Sequence, residues 1–254
     1  MASAAAAPSV HERIPDEVAA LATAQGLGLH RESFLPQRLG AWRMAGLFLF
    51  AVLGLACFVL PGLMFVWLLA QSPNLSRKQA AKRIHLFEEG LVVADGSGPV
   101  SAFRWDSMTV LQQITERYAN GVYVGTSYLY TLFRQDGSTV KLTNFYADPE
   151  RWGAAIQHEI TRAQLPGVIT ALENGATLGF GDISMTLGGI ATPKRGGAHW
   201  GEIQKVEVKN GTVFVAKAGK LLAWSNTPVA KIPNFFLFLS VVDRLRDGHR
   251  PAGR

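Results

Sequence analysis

The chain has 254 residues, a length that suits one or two domains, with a formal net charge of +6. Hydrophobic residues make up 48% of it and charged residues only 17%, whereas ordinary globular chains carry about 25% charged residues. The composition therefore predicts one strongly apolar segment attached to a folded remainder. Because Cys57 is the single cysteine, an intrachain disulfide is excluded, and neither an oxidising compartment nor a thiol-based metal site receives support.

The first region, residues 1–43, is predicted to be an N-terminal arm, partly disordered with one short helix. Its first ten residues are small and low in complexity, a composition typical of disorder. Pro15-Asp16-Glu17 then marks a helix start, and Gly26 marks its end. Residues 30–43 are expected to connect this helix to the apolar segment without contributing chemistry.

The apolar segment runs from Met44 to Ala70, and its 27 residues include no charge. A helix needs about 20 apolar residues to cross the hydrocarbon core of a bilayer. The sequence therefore predicts one transmembrane helix at 44–70, kinked at Pro61-Gly62, with Trp42 and Trp67 at the membrane interface. A buried helix of a soluble protein is the alternative, but such a long uncharged run is unusual for one.

A basic linker at residues 71–83 follows the apolar segment. It contains four basic residues and no acidic residue, and we place all four at the membrane interface: Arg77, Lys78, Lys82 and Arg83. Within 20 residues on the preceding side lie Arg31, Arg38 and Arg43. The positive-inside rule then places the C-terminal region in the cytoplasm, so the expected location is the cell membrane, with a single crossing.

Residues 84–166 are predicted to form a first β-rich module. Its strands alternate apolar and polar residues, and Asn120-Gly121 and Asp136-Gly137 supply turns of the kind that two-residue hairpins need. Asp148-Pro149-Glu150 is a strong helix start, and Pro166-Gly167 is expected to end that helix. The module is therefore a run of antiparallel strands closed by one helix.

Residues 167–248 repeat the same order and form the predicted second module. Asn210-Gly211 marks a hairpin, and Pro233-Asn234 opens a C-terminal helix. A tryptophan followed three residues later by an apolar residue occurs in both modules, at Trp105 and Trp200, which suggests duplication. We assign these two, and Trp152 on the apolar stripe of the first helix, a structural role in the core.

Several stretches carry a resemblance to known proteins: Leu75–Ala81, His85–Glu88, Phe103–Ser107, Phe145–Glu150 and Ile232–Asn234. They resemble a family of bacterial membrane proteins of unknown function with tandem pleckstrin-homology-like (PH-like) domains. The resemblance implies an α+β, mostly β fold, with one transmembrane helix followed by two tandem PH-like barrels, each closed by a C-terminal helix. It implies no catalytic residues. The first hairpin, Leu86–Ala94, contains acidic residues and no basic ones, unlike inositide-binding PH domains.

No motif for catalysis, metal binding or cofactor binding is present in the sequence, and the six histidines are dispersed. We therefore expect a protein that is not an enzyme and has no cofactor, metal, small-molecule substrate or nucleic-acid partner. The leading hypothesis is a membrane-anchored binding or scaffold protein that engages a protein, a peptide or its own copies. The alternative is sensing of anionic lipid by the basic C-terminal module through Lys205, Lys209, Lys217 and Lys220, although alternating lysine and glutamate also suits an ordinary solvent-exposed face.

Overall fold

The computed structural model describes residues 14–57, 59–96, 98–220 and 222–248. The chain divides into two compact units. The first comprises Met1–Arg104 and Asn144–Asp148, and the second comprises Trp105–Thr143 and Pro149–Arg254. The first ten residues, predicted to be disordered, lie outside the described residues.

The first unit is built on a four-stranded antiparallel sheet. Its strands are β1 (His30–Phe34), β2 (Arg83–Phe87), β3 (Gly90–Ala94) and β4 (Val100–Arg104), hydrogen-bonded in that order. Helix α1 (Asp16–Ala24) packs on the sheet through Val18 and Ala22, against a cluster that includes Leu27, Phe87, Val92 and Ala102. Residues 30–43, which were predicted to be a connector, therefore contain β1, the edge strand of this sheet. The strand forms there because it pairs with β2.

The apolar segment does not form one membrane-crossing helix, so the predicted transmembrane helix at 44–70 is wrong. It forms two helices, α2 (Ala41–Cys57) and α3 (Val59–Ala70), and α4 (Arg77–Ala80) follows. The aromatic rings of Phe50 and Phe65 stack with their centroids 5.8 Å apart, whereas 15 residues of continuous helix would span about 22 Å. The segment thus folds back on itself as a helical hairpin, hereafter the α2–α3 hairpin. In the part of the chain that the structure describes, no helix combines the length and the apolarity needed to cross a bilayer.

Pro61 and Gly62 explain why the helix is interrupted here. Proline lacks the N–H that would bond to the carbonyl of Cys57 four residues earlier, and its ring disfavours a continuing helix. Placed in the first turn of α3, the same proline costs nothing, because that N–H has no helical partner anyway. Gly62 then allows close contact: a Cβ at this position would lie 2.3 Å from the backbone nitrogen of Leu55 on α2. Instead of kinking one long helix, the Pro-Gly pair lies in the first turn of the second of two helices.

The second unit opens with a three-stranded antiparallel sheet of β5 (Thr109–Ala119), β6 (Val122–Phe133) and β7 (Thr139–Thr143). The turn between β5 and β6 places Asn120 and Gly121 at φ of +49° and +79°, which confirms the predicted Asn-Gly hairpin. Helix α5 (Pro149–Glu173) begins where the sequence predicted.

Helix α5 continues through Pro166, the residue that was expected to end it. Its last turns bury Leu172 and pack Leu165, Val168 and Ile169 against the apolar cluster of the following strands, and this burial offsets the lost hydrogen bond at the proline. The helix stops at Gly175, which has a φ of +83°. The N–H groups of Gly175 and Ala176 bond back to the carbonyls of residues 172 and 171, the pattern of a glycine-terminated helix.

Two further antiparallel sheets and a helix complete the second unit. One sheet has the order β11 (Gly196–His199), β10 (Gly189–Thr192), β9 (Ile183–Met185), β8 (Leu178–Phe180), and the other consists of β12 (Ile203–Lys209), β13 (Thr212–Lys217) and β14 (Ser225–Pro228). A short 3-10 turn at Trp200–Glu202 separates β11 from β12. Helix α6 (Phe235–Asp247) follows Asn234 and buries Phe238, Val241 and Val242 in the core.

The strands therefore form four separate small sheets, and the prediction of a transmembrane helix followed by two PH-like barrels is wrong. Alternation of apolar and polar residues identifies strands but does not reveal which strands pair. In the described residues, the named strands pair with one another within two sheets of four strands and two sheets of three. The α+β, mostly antiparallel class is correct.

The element order is nevertheless repeated: four strands, three strands and a helix occur twice. Two glycines at matching places, Gly90 and Gly189, each lie where a Cβ would come within 2.3 Å of a carbonyl oxygen on the neighbouring strand. Asn120 and Asn210 each turn a hairpin with positive φ, and Asp148 and Asn234 adopt positive φ just before a helix. These shared backbone constraints extend the similarity seen at the two tryptophans.

Candidate binding surfaces

The α2–α3 hairpin presents a large apolar surface to solvent. Most of its large aromatic and aliphatic side chains are 40–91% exposed: Trp42, Phe48, Leu49, Phe50, Val52, Leu53, Leu55, Val59, Leu60, Leu63, Met64, Val66, Trp67 and Leu68. Ala51 and Leu69 are buried between the helices. Contiguous apolar patches of this kind on a folded protein mark a contact with a membrane or another macromolecule.

An asparagine joins the two ends of the hairpin. The side chain of Asn74 accepts a hydrogen bond from the N–H of Leu39 and donates one to its carbonyl, both at 2.9 Å. Ser72 adds a bond from its hydroxyl to the carbonyl of Leu69, at 2.8 Å. The chain therefore enters and leaves the hairpin at the same end, which we call the hairpin base.

Four basic side chains lie near the hairpin base in sequence and are exposed: Arg38, Arg43, Arg77 and Lys78. Among the described residues, none of these four takes part in an ion pair. Two basic residues of the linker are used differently. Lys82 pairs with Asp95 at 2.6 Å and lies over the ring of Phe145, and Arg83 donates to the backbone carbonyl of its neighbour Lys82 at 2.8 Å.

The two tryptophans assigned to opposite membrane interfaces are on adjacent helices. Trp42 lies in the first turn of α2 and is 91% exposed, and Trp67 lies near the end of α3 and is 60% exposed. Because the hairpin is antiparallel, both belong to its basal half. The comparison of basic residues on the two sides of a membrane crossing, which placed the C-terminal region in the cytoplasm, does not apply to a hairpin whose two ends lie together.

Lys205 and Lys209 lie on the same face of strand β12, as expected from their spacing. Lys205 forms an ion pair with Glu207 at 2.9 Å, and Lys209 is exposed opposite Thr212. The face thus carries alternating charge, and only part of its positive charge is available to a ligand.

Lys217 and Lys220 are not part of that face. Lys217 follows Ala216, the partner of Lys205 across the hairpin, and therefore lies on the opposite side of the sheet. Its ammonium group sits 5.2 Å from the centre of the Trp224 ring and 3.3 Å from Glu202. The N–H of His199, followed by Lys217, holds the pKa of Glu202 below its usual value. Lys220 closes the turn after β13 by bonding to the carbonyl of Lys217.

The three tryptophans assigned to the core are all buried. Trp105 and Trp152 have no exposed surface and Trp200 retains 2%. The indole N–H of Trp200 donates to the carbonyl of Thr186 at 3.0 Å, and the ring of Trp152 packs edge-on against Tyr130, with 5.1 Å between centroids. The Tyr130 hydroxyl links β6 to α5, because the side chain of Gln157 on α5 donates a hydrogen bond to it at 2.6 Å.

Asn234, which was predicted from the sequence only to open a helix, forms a junction of side-chain hydrogen bonds. Its side-chain oxygen accepts from the N–H of Val110 at 2.7 Å, and its side-chain nitrogen donates to Met108 at 3.2 Å and to Gln164 at 3.0 Å. Gln164 in turn donates to the carbonyls of Trp105 and Met108. Three elements of the second unit, β5, α5 and α6, thus meet at one asparagine.

A serine lies between two histidines in the first unit, which no sequence motif indicated. The Ser33 hydroxyl is 2.7 Å from Nδ1 of His85 and 2.9 Å from Nε2 of His30. Ser33 and His85 are direct partners across the β1–β2 ladder, and His85 is 1% exposed. The cluster fastens the edge strand to the sheet, which is a structural role.

The β5–β6 hairpin extends beyond the core as a two-stranded ribbon with exposed aromatic and aliphatic side chains. Tyr118 and Tyr123 are cross-strand partners with ring centroids 5.8 Å apart. Nearer the core, burial and a hydrogen bond to Glu150 raise the pKa of Tyr128 to about 12. Cross-strand pairs of side chains within the ribbon therefore hold its two strands together.

The described residues include no group of three or more histidine, cysteine or acidic side chains placed to hold a metal ion. Comparison with known families gives one match: residues 17–251 match the family described as a family of unknown function (DUF6585). This chain belongs to that family. No curated protein and no solved structure matches it.

Proposed function

We propose that this protein is a membrane-anchored, non-enzymatic binding protein whose α2–α3 hairpin embeds in one face of a bilayer. The observation that carries the proposal is the exposed apolar surface of that hairpin, with its basic residues at one end. Helix α3 has 12 residues and is about 18 Å long, against a hydrocarbon core of about 30 Å. Insertion from one side matches these lengths.

Charge at the hairpin base supports the same arrangement. Arg38, Arg43, Arg77 and Lys78 would lie at the headgroup level once the apolar helices are embedded, and each basic residue near an anionic surface contributes about 1 kcal/mol of attraction. The exposed indoles of Trp42 and Trp67 suit the interfacial region, where one edge is apolar and the other is hydrated. From the sequence resemblance, we also propose that the protein is bacterial.

The absence of catalytic motifs from the sequence supports a binding role, and the β-rich units would be the parts that meet a partner at the membrane. The partner in this proposal is a protein or peptide, or a second copy of the chain. The exposed ribbon at Tyr118 and Tyr123 offers surface for such contact, because aromatic side chains are enriched at protein interfaces.

Vesicle flotation tests the anchor. Leu60→Lys places a charge on the exposed hairpin surface, where Leu60 is 80% exposed, and Leu222→Lys makes the same change at an 83% exposed leucine of the second unit. A lysine buried in hydrocarbon costs about 2.5–3.5 kcal/mol, so Leu60→Lys should weaken vesicle binding by roughly 100-fold. Leu222→Lys should bind like the parent protein. Equal binding by all three proteins would refute the anchor.

One-sided insertion is tested by labelling. With Cys57 changed to alanine, single cysteines at Gln37 and Gln71 lie on the two flanks of the hairpin. In sealed vesicles, an impermeant thiol reagent added outside should label both positions to the same extent. Labelling of only one of the two would show that the segment crosses the bilayer, which contradicts the proposed insertion.

A further inference from the structure

A cleft of about 410 Å³, lined mostly by polar and charged residues, lies in the second unit, away from any surface that the sequence pointed to. Three segments line it: the β8–β9 turn at Asp182, the β10–β11 turn at 192–195, and residues 225–231 at the end of β14. Gly181 brings the first and third together, since a Cβ there would lie 2.3 Å from the carbonyl oxygen of Lys231. Cavities of 300–1,000 Å³ are the size that small ligands occupy.

The cleft carries an excess of positive charge. Lys194, Arg195 and Lys231 line it and are exposed, and Asp182 is the single acidic residue among the lining side chains. None of the four forms an ion pair within the described residues. The turn between Thr192 and Arg195 is closed by a backbone bond of 3.3 Å, and it places two cations side by side at the rim.

Thr192 also lines the cleft, but its hydroxyl does not face it. Thr192 is 8% exposed, it lies on the same face of β10 as the buried Ile190, and its Oγ1 is buried. The charged and amide side chains that a ligand in the cleft can reach are therefore the exposed ones: Lys194, Arg195, Lys231, Asp182 and Asn226.

We propose that this cleft binds a phosphate group carried by a polyol. Three cations match the several oxygens and the negative charge of a phosphate. Asp182 repels the phosphate itself but accepts hydrogen bonds from hydroxyl groups, and the amide of Asn226 can donate or accept. Together these groups recognise a phosphate at the basic rim and hydroxyls beside it. The same chemistry is found in a lipid headgroup and in a soluble polyol phosphate.

Calorimetric titration of the full chain in neutral detergent micelles with glycerol 3-phosphate tests the site. Because a hydrogen bond to a charged group contributes about 1.5–3 kcal/mol, Lys194→Gln, Arg195→Gln and Lys231→Gln should each raise the Kd by roughly 10-fold or more. Lys141→Gln removes the same charge from an exposed strand position outside the cleft and should change the Kd less than about 2-fold.

Thermal unfolding is the control for folding. Lys194→Gln, Arg195→Gln and Lys231→Gln change exposed side chains, so each variant should unfold at the same temperature as the parent. This separates loss of the site from loss of the fold.

Vesicles distinguish the two sources of phosphate. If the ligand is a lipid headgroup, Arg195→Gln should abolish any preference for phosphatidylglycerol over phosphatidylcholine vesicles that Lys141→Gln retains. If it is soluble, glycerol 3-phosphate binds and that preference is the same in both variants. The proposal is overturned if neither the soluble compound nor the headgroup gives a response that depends on the cleft residues, or if Lys141→Gln weakens binding as much as Lys194→Gln. Leu60→Lys should lose vesicle binding and keep glycerol 3-phosphate binding, which keeps this test independent of the anchor.

Discussion

Replacing Asn234 by alanine should lower the free energy of unfolding of the second unit by more than the loss of a helix-starting residue alone would explain. The substitution removes three side-chain hydrogen bonds, to Val110, Met108 and Gln164, at 2.7–3.2 Å. Each contributes about 1 kcal/mol net. Alanine must also adopt the φ of +47° seen at this position, which costs a further 1–2 kcal/mol or so. The expected loss in the free energy of unfolding is about 4 kcal/mol.

Two further variants separate these contributions. Asn234→Gly keeps the backbone conformation without strain and should lose about 3 kcal/mol through the missing hydrogen bonds. Asn210→Ala imposes the same kind of strain at φ +48° in an exposed hairpin turn and should lose about 1 kcal/mol.

Urea unfolding followed by tryptophan fluorescence measures all three variants, because Trp105, Trp152 and Trp200 are buried in this unit. The midpoints should shift in the order Asn234→Ala, Asn234→Gly, Asn210→Ala, with unchanged dependence on urea. If Asn234→Gly matches the parent protein, the hydrogen-bonded junction contributes nothing and the reasoning is refuted.

Three other predictions concern the hairpin, the core and pH. With Cys57 changed to alanine, spin labels at Leu49 and Val66 should lie about 10 Å apart, whereas a continuous helix would separate them by about 25 Å; the longer distance would rule out the α2–α3 hairpin. Trp200→Ala should lower the free energy of unfolding by about 3–5 kcal/mol, measured by urea unfolding, and a neutral result would mean that the ring is not part of the core. Burial, then the nearby acidic charge, raises the pKa of Tyr146 from 10.0 to about 12, so its contribution to stability is complete below pH 10 and is lost as the pH rises towards 12. Tyr146→Phe should remove the corresponding late component from the tyrosinate absorbance titration, and an unchanged titration curve would contradict this assignment.

Local features were predictable because neighbouring residues determine them. Asn120-Gly121 supplies the positive φ angles of a tight hairpin whatever surrounds it, and Pro149 favours a first helical turn by its own ring geometry. The long uncharged run at 44–70 was also visible, together with its apolar character. Its shape was not, since the choice between one kinked helix and two packed ones depends on contacts between residues such as Phe50 and Phe65, 15 positions apart.

The cleft illustrates the same limit for a binding site. Lys194 and Arg195 stand in a Thr-Pro-Lys-Arg-Gly-Gly stretch, which reads as a basic turn between two strands. Nothing in that stretch indicates that Lys231 and Asp182 lie beside it. Their proximity follows from the close packing of Gly181 on the backbone of Lys231, a contact between residues 50 positions apart.

Backbone preferences and apolar periodicity act over a few residues, so the amino-acid sequence was enough to predict the α+β class, the main hairpin turns, the starts of the two long helices and the presence of an apolar segment. The folded structure was needed to show that this segment folds back on itself, that β1 joins the first sheet and that the strands separate into four sheets. It also separated Lys217 and Lys220 from Lys205 and Lys209, and it brought the cleft residues together. Each of those outcomes depends on pairing and packing between distant residues, which compete with one another and are settled by the fold as a whole.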